Sequence, residues 1–387
     1  MSVSSALTTR RIYICVGAGG VGKTTSAAAI ALGLAARGRR VALITIDPSR
    51  RLAGALALDE LAGEPQLLSA EHLAPAGVLL RGEVWAMVLD PQRTFDDLIR
   101  RLAPDDATRE RVFANHIYRE ISGAVGGSHE FSAIAKLYEL DRSGEFDAIV
   151  LDTPPSRNAL DFLRAPESLM QFFDAPALRL LLAPAGLGAR ISSRAGAPAL
   201  ALIRRLVGVD LLSEIALFFA AVGSLIGGFR ERAAAVEALL RDRGTTFVLV
   251  SSLEREPIRE SIAFAAQLRQ AGLDIGAVVV NRVTVAAPTS REPAAGGDPS
   301  ATDARRIDEV SLRAALGEEL GAIVAASAER AERLARHDQA GVALLRAELG
   351  GVPLATVPLL DRSLGELERL GAVARALFND LGGGKEL

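Results

Sequence analysis

Cysteine is nearly absent from this 387-residue chain, Cys15 being the only one. A single thiol excludes a disulfide framework and a cysteine-rich metal site, and it fits a reducing compartment. A net charge of −3 argues against a strongly basic nucleic-acid binder, though it leaves room for a local basic patch. The four histidines include His116 and His129, which lack the spacing to cysteine or acidic residues of a metal site and are expected to be structural or surface residues. Mean hydropathy is +0.24, yet the uncharged run Ile215 to Phe229 falls short of the ~20 residues a spanning helix needs. Glu214 and Arg230 bracket that run, so a buried or groove-forming helix is expected there and no transmembrane segment. Met1 to Arg10 has no signal-peptide apolar core, and a cytoplasmic protein is expected. Lysine is scarce as well: of 44 Lys+Arg residues only Lys23, Lys136 and Lys385 are lysine.

One of those three lysines sits in Gly17 to Thr25, Gly-Ala-Gly-Gly-Val-Gly-Lys-Thr-Thr, which fits the P-loop pattern G-x-x-x-x-G-K-[ST]. The context fits too, because Arg11 to Val16 reads as a buried strand and the Ala-rich run after Lys23 as a helix ending near Gly38. Glycines let backbone N–H groups turn inward around phosphate oxygens, and the following helix points its positive end at the same anion. Gly19, Gly20, Val21, Gly22, Lys23, Thr24 and Thr25 are the candidate nucleotide-binding residues, with Lys23 reaching the β/γ-phosphates and the Thr24 hydroxyl ligating Mg²⁺. A compact ammonium suits that place, in a chain that otherwise uses arginine.

Two further apolar runs end in aspartate. Val41 to Asp47 reads as a strand closed by Asp47-Pro48, and acidic residues at the carboxyl ends of parallel strands face the ligand crevice of doubly wound folds. Asp47 is therefore a site candidate, with a helix cap or turn residue as the plain alternative. Phe146 to Asp152 is a strand followed by Thr-Pro-Pro-Ser-Arg-Asn, the arrangement of an aspartate that holds Mg²⁺ through its waters ahead of a switch loop; a strand-end cap is the alternative for Asp152. Strands are also expected at Val84 to Asp90, Thr246 to Ser252, Ile275 to Asn281 and Val352 to Val357. Helices are expected at Pro257 to Ala271 and over Asp308 to Leu349, with Ser363 capping a last helix. The strand–helix–strand repeat predicts an α/β P-loop NTPase fold with a mostly parallel doubly wound sheet and an inserted helical subdomain. The ATPase core is expected at 1–95, 145–165 and 243–387, and the helical subdomain at 96–144 and 166–242. The latter holds Leu178 to Leu182, the Gly/Ala/Pro-rich Pro184 to Pro198 and the apolar Leu211 to Phe229; its helices either pack as an ordinary core or present apolar surface to a client. Val283 to Asp303 reads as a loop.

Together these motifs resemble the ArsA-type ATPases, the group of arsenite-transport ATPases and ATPases that target tail-anchored membrane proteins, relatives of the MinD/ParA-like dimeric P-loop proteins. The resemblance rests on Gly17 to Thr25, Ile46-Asp47-Pro48, Asp152-Thr153-Pro154-Pro155, the apolar helices up to Asp242, Asn281 and Pro358-Leu359-Leu360. It implies Mg²⁺-dependent ATP hydrolysis, with Asp47 orienting or activating the attacking water, Asn281 hydrogen-bonding adenine and Pro358 walling the base; alone, Asn281 has a turn residue at a strand end as its plain alternative. It also implies a dimer whose nucleotide state drives capture and release of a hydrophobic client or membrane protein. Three departures stand out. Ala18 replaces the second lysine that crosses the family's dimer interface, Ser49-Arg50-Arg51 follow Asp47-Pro48 where Ala-His-Asn or Ala-His-Ser is common, and there is no Cys-x-x-Cys to bridge zinc and no cysteine set to bind arsenite. The first leaves open a homodimer or a heterodimer with a paralogous ATPase that keeps the lysine, and the third makes arsenite transport an unsuitable function.

Overall fold

The computed structural model describes residues 2–46, 51–58, 63–115, 118, 128–153, 225–285, 309–361 and 363–378. Asp47, the segment after Thr153 through 224, most of the expected loop 283–303 and His116 lie outside the described residues.

Eight strands form one sheet in the order β3-β4-β2-β5-β1-β6-β7-β8. They are β1 (Ile12–Val16), β2 (Arg40–Thr45), β3 (Gln66–Leu68), β4 (Glu83–Val88), β5 (Ala148–Asp152), β6 (Thr245–Ser251), β7 (Ile275–Val283) and β8 (Leu354–Pro358). Neighbours run parallel except β3, which pairs antiparallel with β4 at the edge. The central strands β1, β5 and β6 are buried at every position, which is why β1 and the stretches Ala148 to Leu151 and Phe247 to Val250 are apolar without polar alternation.

Successive side chains of a strand point to opposite faces, and the core divides accordingly. Ile12, Ile14, Ile149, Leu151, Phe247, Leu249, Val278 and Val280 enter one apolar cluster; Tyr13, Cys15, Ala148, Val150, Val248, Val250, Ala277 and Val279 enter the other. The first face is covered by α5 (Pro91–Leu102), α6 (Asp106–Ala114), α7 (Ser128–Ser143), α8 (Ile226–Leu240), α9 (Arg255–Gln270) and the C-terminal part of α11 (Glu318–Leu349). Residues Ala133 to Leu140 of α7 pack into this cluster, so part of the segment 96–144 lies directly on the sheet.

The second face carries α2 (Lys23–Ala35), of which 11 residues are buried. Its alanines let it lie close on the strands while α12 (Glu366–Leu377) covers its outer side. Gly33 is needed for this, since a Cβ there would stand 2.2 Å from the Phe378 ring. The short helices α1 (Val3–Ala6), α3 (Arg51–Ala55) and α4 (Ala70–Leu73) border the same face, and α10 (Glu309–Leu316) joins α11 through Gly317. Among these described helices none is long and apolar enough to cross a membrane.

The expected strands are present within one to two residues of their predicted ends. Ser363, in contrast, does not cap the last helix. Gly365 does, its N–H donating to the Glu368 carboxylate at 2.9 Å, while the Ser363 N–H turns back onto Asp361 at 2.8 Å. This bond to the Glu368 carboxylate fixes the helix start two residues later than a serine cap would.

Candidate functional site

All parallel strands of the sheet end on the same side, and the P-loop leaves the end of β1 between β5 and β6. Gly17 has φ +150°, and a Cβ there would lie 2.0 Å from the Val250 carbonyl oxygen of β6. The loop thus begins pressed against the neighbouring strand, where only glycine fits. Gly19 and Gly20 are exposed on the crevice side, Val21 is buried in the core, and Gly22 closes the loop in the left-handed region with φ +95°. Gly22 is also the N-cap of α2 and supplies no side-chain hydrogen bond. The first-turn N–H groups of this helix, at Lys23, Thr24 and Thr25, therefore form the kind of helix N-terminus that binds anions.

Lys23 is 6% exposed. Its ammonium donates to the carbonyls of Gly17 at 2.9 Å and Ala18 at 2.8 Å, which arches the side chain back over the loop it must serve. Ala18 itself is buried in the core cluster beneath the loop.

On the next strand, Asp152 is fully buried. The Thr24 hydroxyl donates to its Oδ2 at 2.8 Å and the Thr45 hydroxyl to the same oxygen at 3.0 Å. A hydroxyl that donates its proton to a carboxylate keeps its lone pairs for a cation, so Thr24 and Asp152 are a hard-oxygen pair of the kind Mg²⁺ uses together with phosphate oxygens. The donor set fits the ion because both groups offer hard oxygens and Mg²⁺ in nucleotide sites takes one or two protein ligands with the substrate phosphates. Mg²⁺, when bound there, would neutralise charge developing on the phosphates. Thr153 fixes the exit of β5, its hydroxyl donating to the Cys15 carbonyl at 2.8 Å. The Cys15 thiol is pushed far above its ordinary range by burial and by the Asp152 charge, partly offset by Lys23, so it stays a neutral core group.

Asn281 comes to the P-loop from β7. Its amide nitrogen donates to the Val21 carbonyl at 3.0 Å, and its oxygen accepts from the Arg282 N–H at 2.9 Å. Pro358, at the end of β8, pairs in register with Val283 beside it. The structure therefore brings Gly17 to Thr25, Asp152, Asn281 and Pro358 to one end of the sheet, where the Ile46 N–H also donates to the Asp152 carbonyl; Asp47 lies outside the described residues. Sequence reasoning missed Thr45 and the Val250 carbonyl; both act through strand register, for which the sequence carries no local signal.

Gly22→Ala is expected to be costly in two ways. The left-handed backbone disfavours any Cβ, and this Cβ would stand 2.1 Å from the Asn281 amide nitrogen. A loss of about 1–3 kcal/mol is expected for the strained backbone alone, with ATP affinity reduced because Asn281 must move. Urea unfolding and ATP titration of the purified variant check both.

A buried lysine in a glycine-turned loop, a helix N-terminus and a first-turn threonine bonded to an aspartate of the adjacent strand define a P-loop nucleoside triphosphatase. The comparisons with known proteins narrow the class. Residues 10–183 match the family described as anion-transporting ATPase, and over that part the chain is similar to ATPases of the ArsA type. It is 26% identical over 287 residues to ATPase get3 of Aspergillus terreus, covering 73% of this chain and 75% of the relative. It is 29% identical over 269 residues to ATPase GET3 of Rhodotorula glutinis, covering 69% and 68%. With ATPase GET3 of Malassezia globosa it shares 25% identity over 278 residues, covering 72% and 74%.

Proposed function

We propose that the chain hydrolyses ATP with Mg²⁺ as a cytoplasmic dimer, and that nucleotide state governs binding and release of a hydrophobic client or membrane protein through the helical segments 96–144 and 166–242. The observation that supports this reading best is the bond between Thr24 and Asp152. It ties the nucleotide loop to the strand that leads directly into the expected switch loop, Asp152 to Asn158, so a cation held by the pair would feel and transmit the loss of the γ-phosphate. In this reading Asp47 orients the attacking water, Lys23 and the P-loop amides hold the phosphates, Asn281 meets the adenine and Pro358 walls it.

The test uses two variants in a cell extract with Mg·ATP. Asp47→Asn, retaining ATP without turning it over, is expected to hold a set of proteins that Lys23→Ala does not. Identical sets from the two would overturn the coupling of nucleotide state to client.

A second reading is favoured by Ala18, which is buried and uncharged where related ATPases are expected to carry a lysine acting across the dimer. The chain would then be an ATP-binding subunit with little turnover of its own, completed by a paralogue that supplies the cation, a contribution on the order of 10³–10⁵ in rate. Full turnover by the isolated protein would exclude that reading.

A further inference from the structure

Among the described residues three charged side chains are buried: Lys23, Asp152 and Asp338. The first two belong to the P-loop site. The third stands on α11, on the face that also buries Ala335, Val342, Leu345 and Leu349. A carboxylate on an apolar helix face is costly unless something specific bonds to it. Here the Thr284 N–H donates to Asp338 Oδ2 at 2.7 Å.

Thr284 ends an unusual corner. The pairing of β7 with β8 slips between Val280 and Val283. Within that slip Arg282 adopts φ +60°, left-handed in a residue that is not glycine, and such outliers persist only where surrounding contacts fix them. Three contacts do so. The Asn281 oxygen holds the Arg282 N–H, the Val283 carbonyl accepts from the Leu359 N–H at 2.9 Å, and Asp338 holds the Thr284 N–H. The first two lie within the sheet and the loop after it. Asp338 is the contact that comes from a separate helix.

We propose that Asp338 is a positioning residue for nucleotide recognition: by holding the Thr284 amide it fixes the left-handed turn at Arg282, and that turn aims the Asn281 side chain at the P-loop and the adenine beside it. The inference rests on the reading of Asn281 as the adenine-side residue. Asp338 acts through the Thr284 amide, so its effect is carried by Asn281 and falls on base recognition, leaving the phosphate chemistry at Lys23, Thr24 and Asp152 in place.

The experiment measures the affinities of the full chain for ATP and GTP, together with kcat, in Asp338→Ala, Asp338→Asn, Asn281→Ala and the Asn281→Ala/Asp338→Ala double variant. Asp338→Ala is expected to weaken ATP binding about tenfold, the worth of one charge-assisted hydrogen bond, to lower the ATP:GTP preference, and to leave kcat at saturation within about twofold. Asp338→Asn keeps an oxygen acceptor and is expected to recover most of the affinity. The double variant is expected to be no worse than Asn281→Ala, because both changes remove one interaction. If Asn281→Ala lowers the ATP preference and Asp338→Ala does not, the positioning role is overturned and the adenine reading survives. If Asn281→Ala leaves the preference unchanged, the adenine reading fails and the positioning role with it. Additive losses in the double variant, or no recovery in Asp338→Asn, overturn the positioning role alone. Should Asp338→Ala not fold, hydrogen exchange of the wild-type protein decides: ATP is expected to slow exchange at the Thr284 amide, and unchanged exchange overturns the proposal.

Discussion

Lys23→Ala is expected to lower ATP turnover by about 10²–10³, the typical cost of removing one preorganised donor from a developing anion. The side chain is 6% exposed and its ammonium is held at 2.8–2.9 Å by two carbonyls of the loop it closes. It is therefore already desolvated and positioned, and a charge in such a place needs little reorganisation when the phosphates arrive. Lys23→Arg is expected to remain deficient, because a planar guanidinium fork is longer than the arch between Lys23 and Gly17 and distributes its charge differently. Binding should suffer as well as turnover. ATP at 100 times its dissociation constant would stabilise the wild-type protein by about 2.7 kcal/mol, and thermal unfolding with and without Mg·ATP is expected to show that gain nearly abolished in Lys23→Ala. A variant that kept a tenth of the wild-type rate would remove Lys23 from the catalytic machinery.

The parts of this site that a reader of the sequence can find are those whose chemistry is written in consecutive residues. Gly17 to Thr25 is legible because each glycine answers a local backbone demand, and Asp152 because an apolar run buried on both faces ends in a charge. The core strands are legible for the same reason: Ile12 to Val16 and Ala148 to Asp152 carry no polar alternation. What stays hidden is produced by register between distant segments. Thr45 becomes a partner of Asp152 only because β2 and β5 align Thr45 opposite Asp152. Asn281 reaches the Val21 carbonyl across a sequence separation of 260 residues. The three-residue β3 is too short to show a period, and its antiparallel pairing follows from the edge position next to β4.

Register also explains how one end of the sheet can be both rigid and responsive. β1 lies between β5 and β6, so the P-loop is flanked by Asp152 on one side and by the Val250 carbonyl against Gly17 on the other. The β6 side is a steric stop with no freedom in it. On the β5 side the link is a pair of hydroxyl hydrogen bonds to one carboxylate oxygen, which can be re-made around a cation. Changes in nucleotide state are therefore expected to move the segment after β5 and leave β6 in place.

Asp152→Asn separates that role from a structural one. The substitution keeps the volume and one carbonyl oxygen while removing the charge, and an amide turned the other way would donate to the Thr24 and Thr45 hydroxyls and redirect their protons. Either orientation weakens the hard-oxygen pair, and the apparent affinity for Mg²⁺ in the ATPase reaction is expected to fall about 10–100-fold, as it does when a residue orienting a metal ligand is changed. Thr45→Val, which removes one of the two donors and leaves Thr24 in place, is expected to cost less. Stability is expected to move the other way. An anion that is fully buried is more costly to desolvate than an amide, so Asp152→Asn should unfold at the same urea concentration as the wild type or a higher one. Lower activity with undiminished stability is the signature of a group retained for chemistry at the expense of the fold. A loss of stability with the Mg²⁺ dependence unchanged would mark Asp152 as a strand-end residue instead, and would move the metal-side role to another carboxylate.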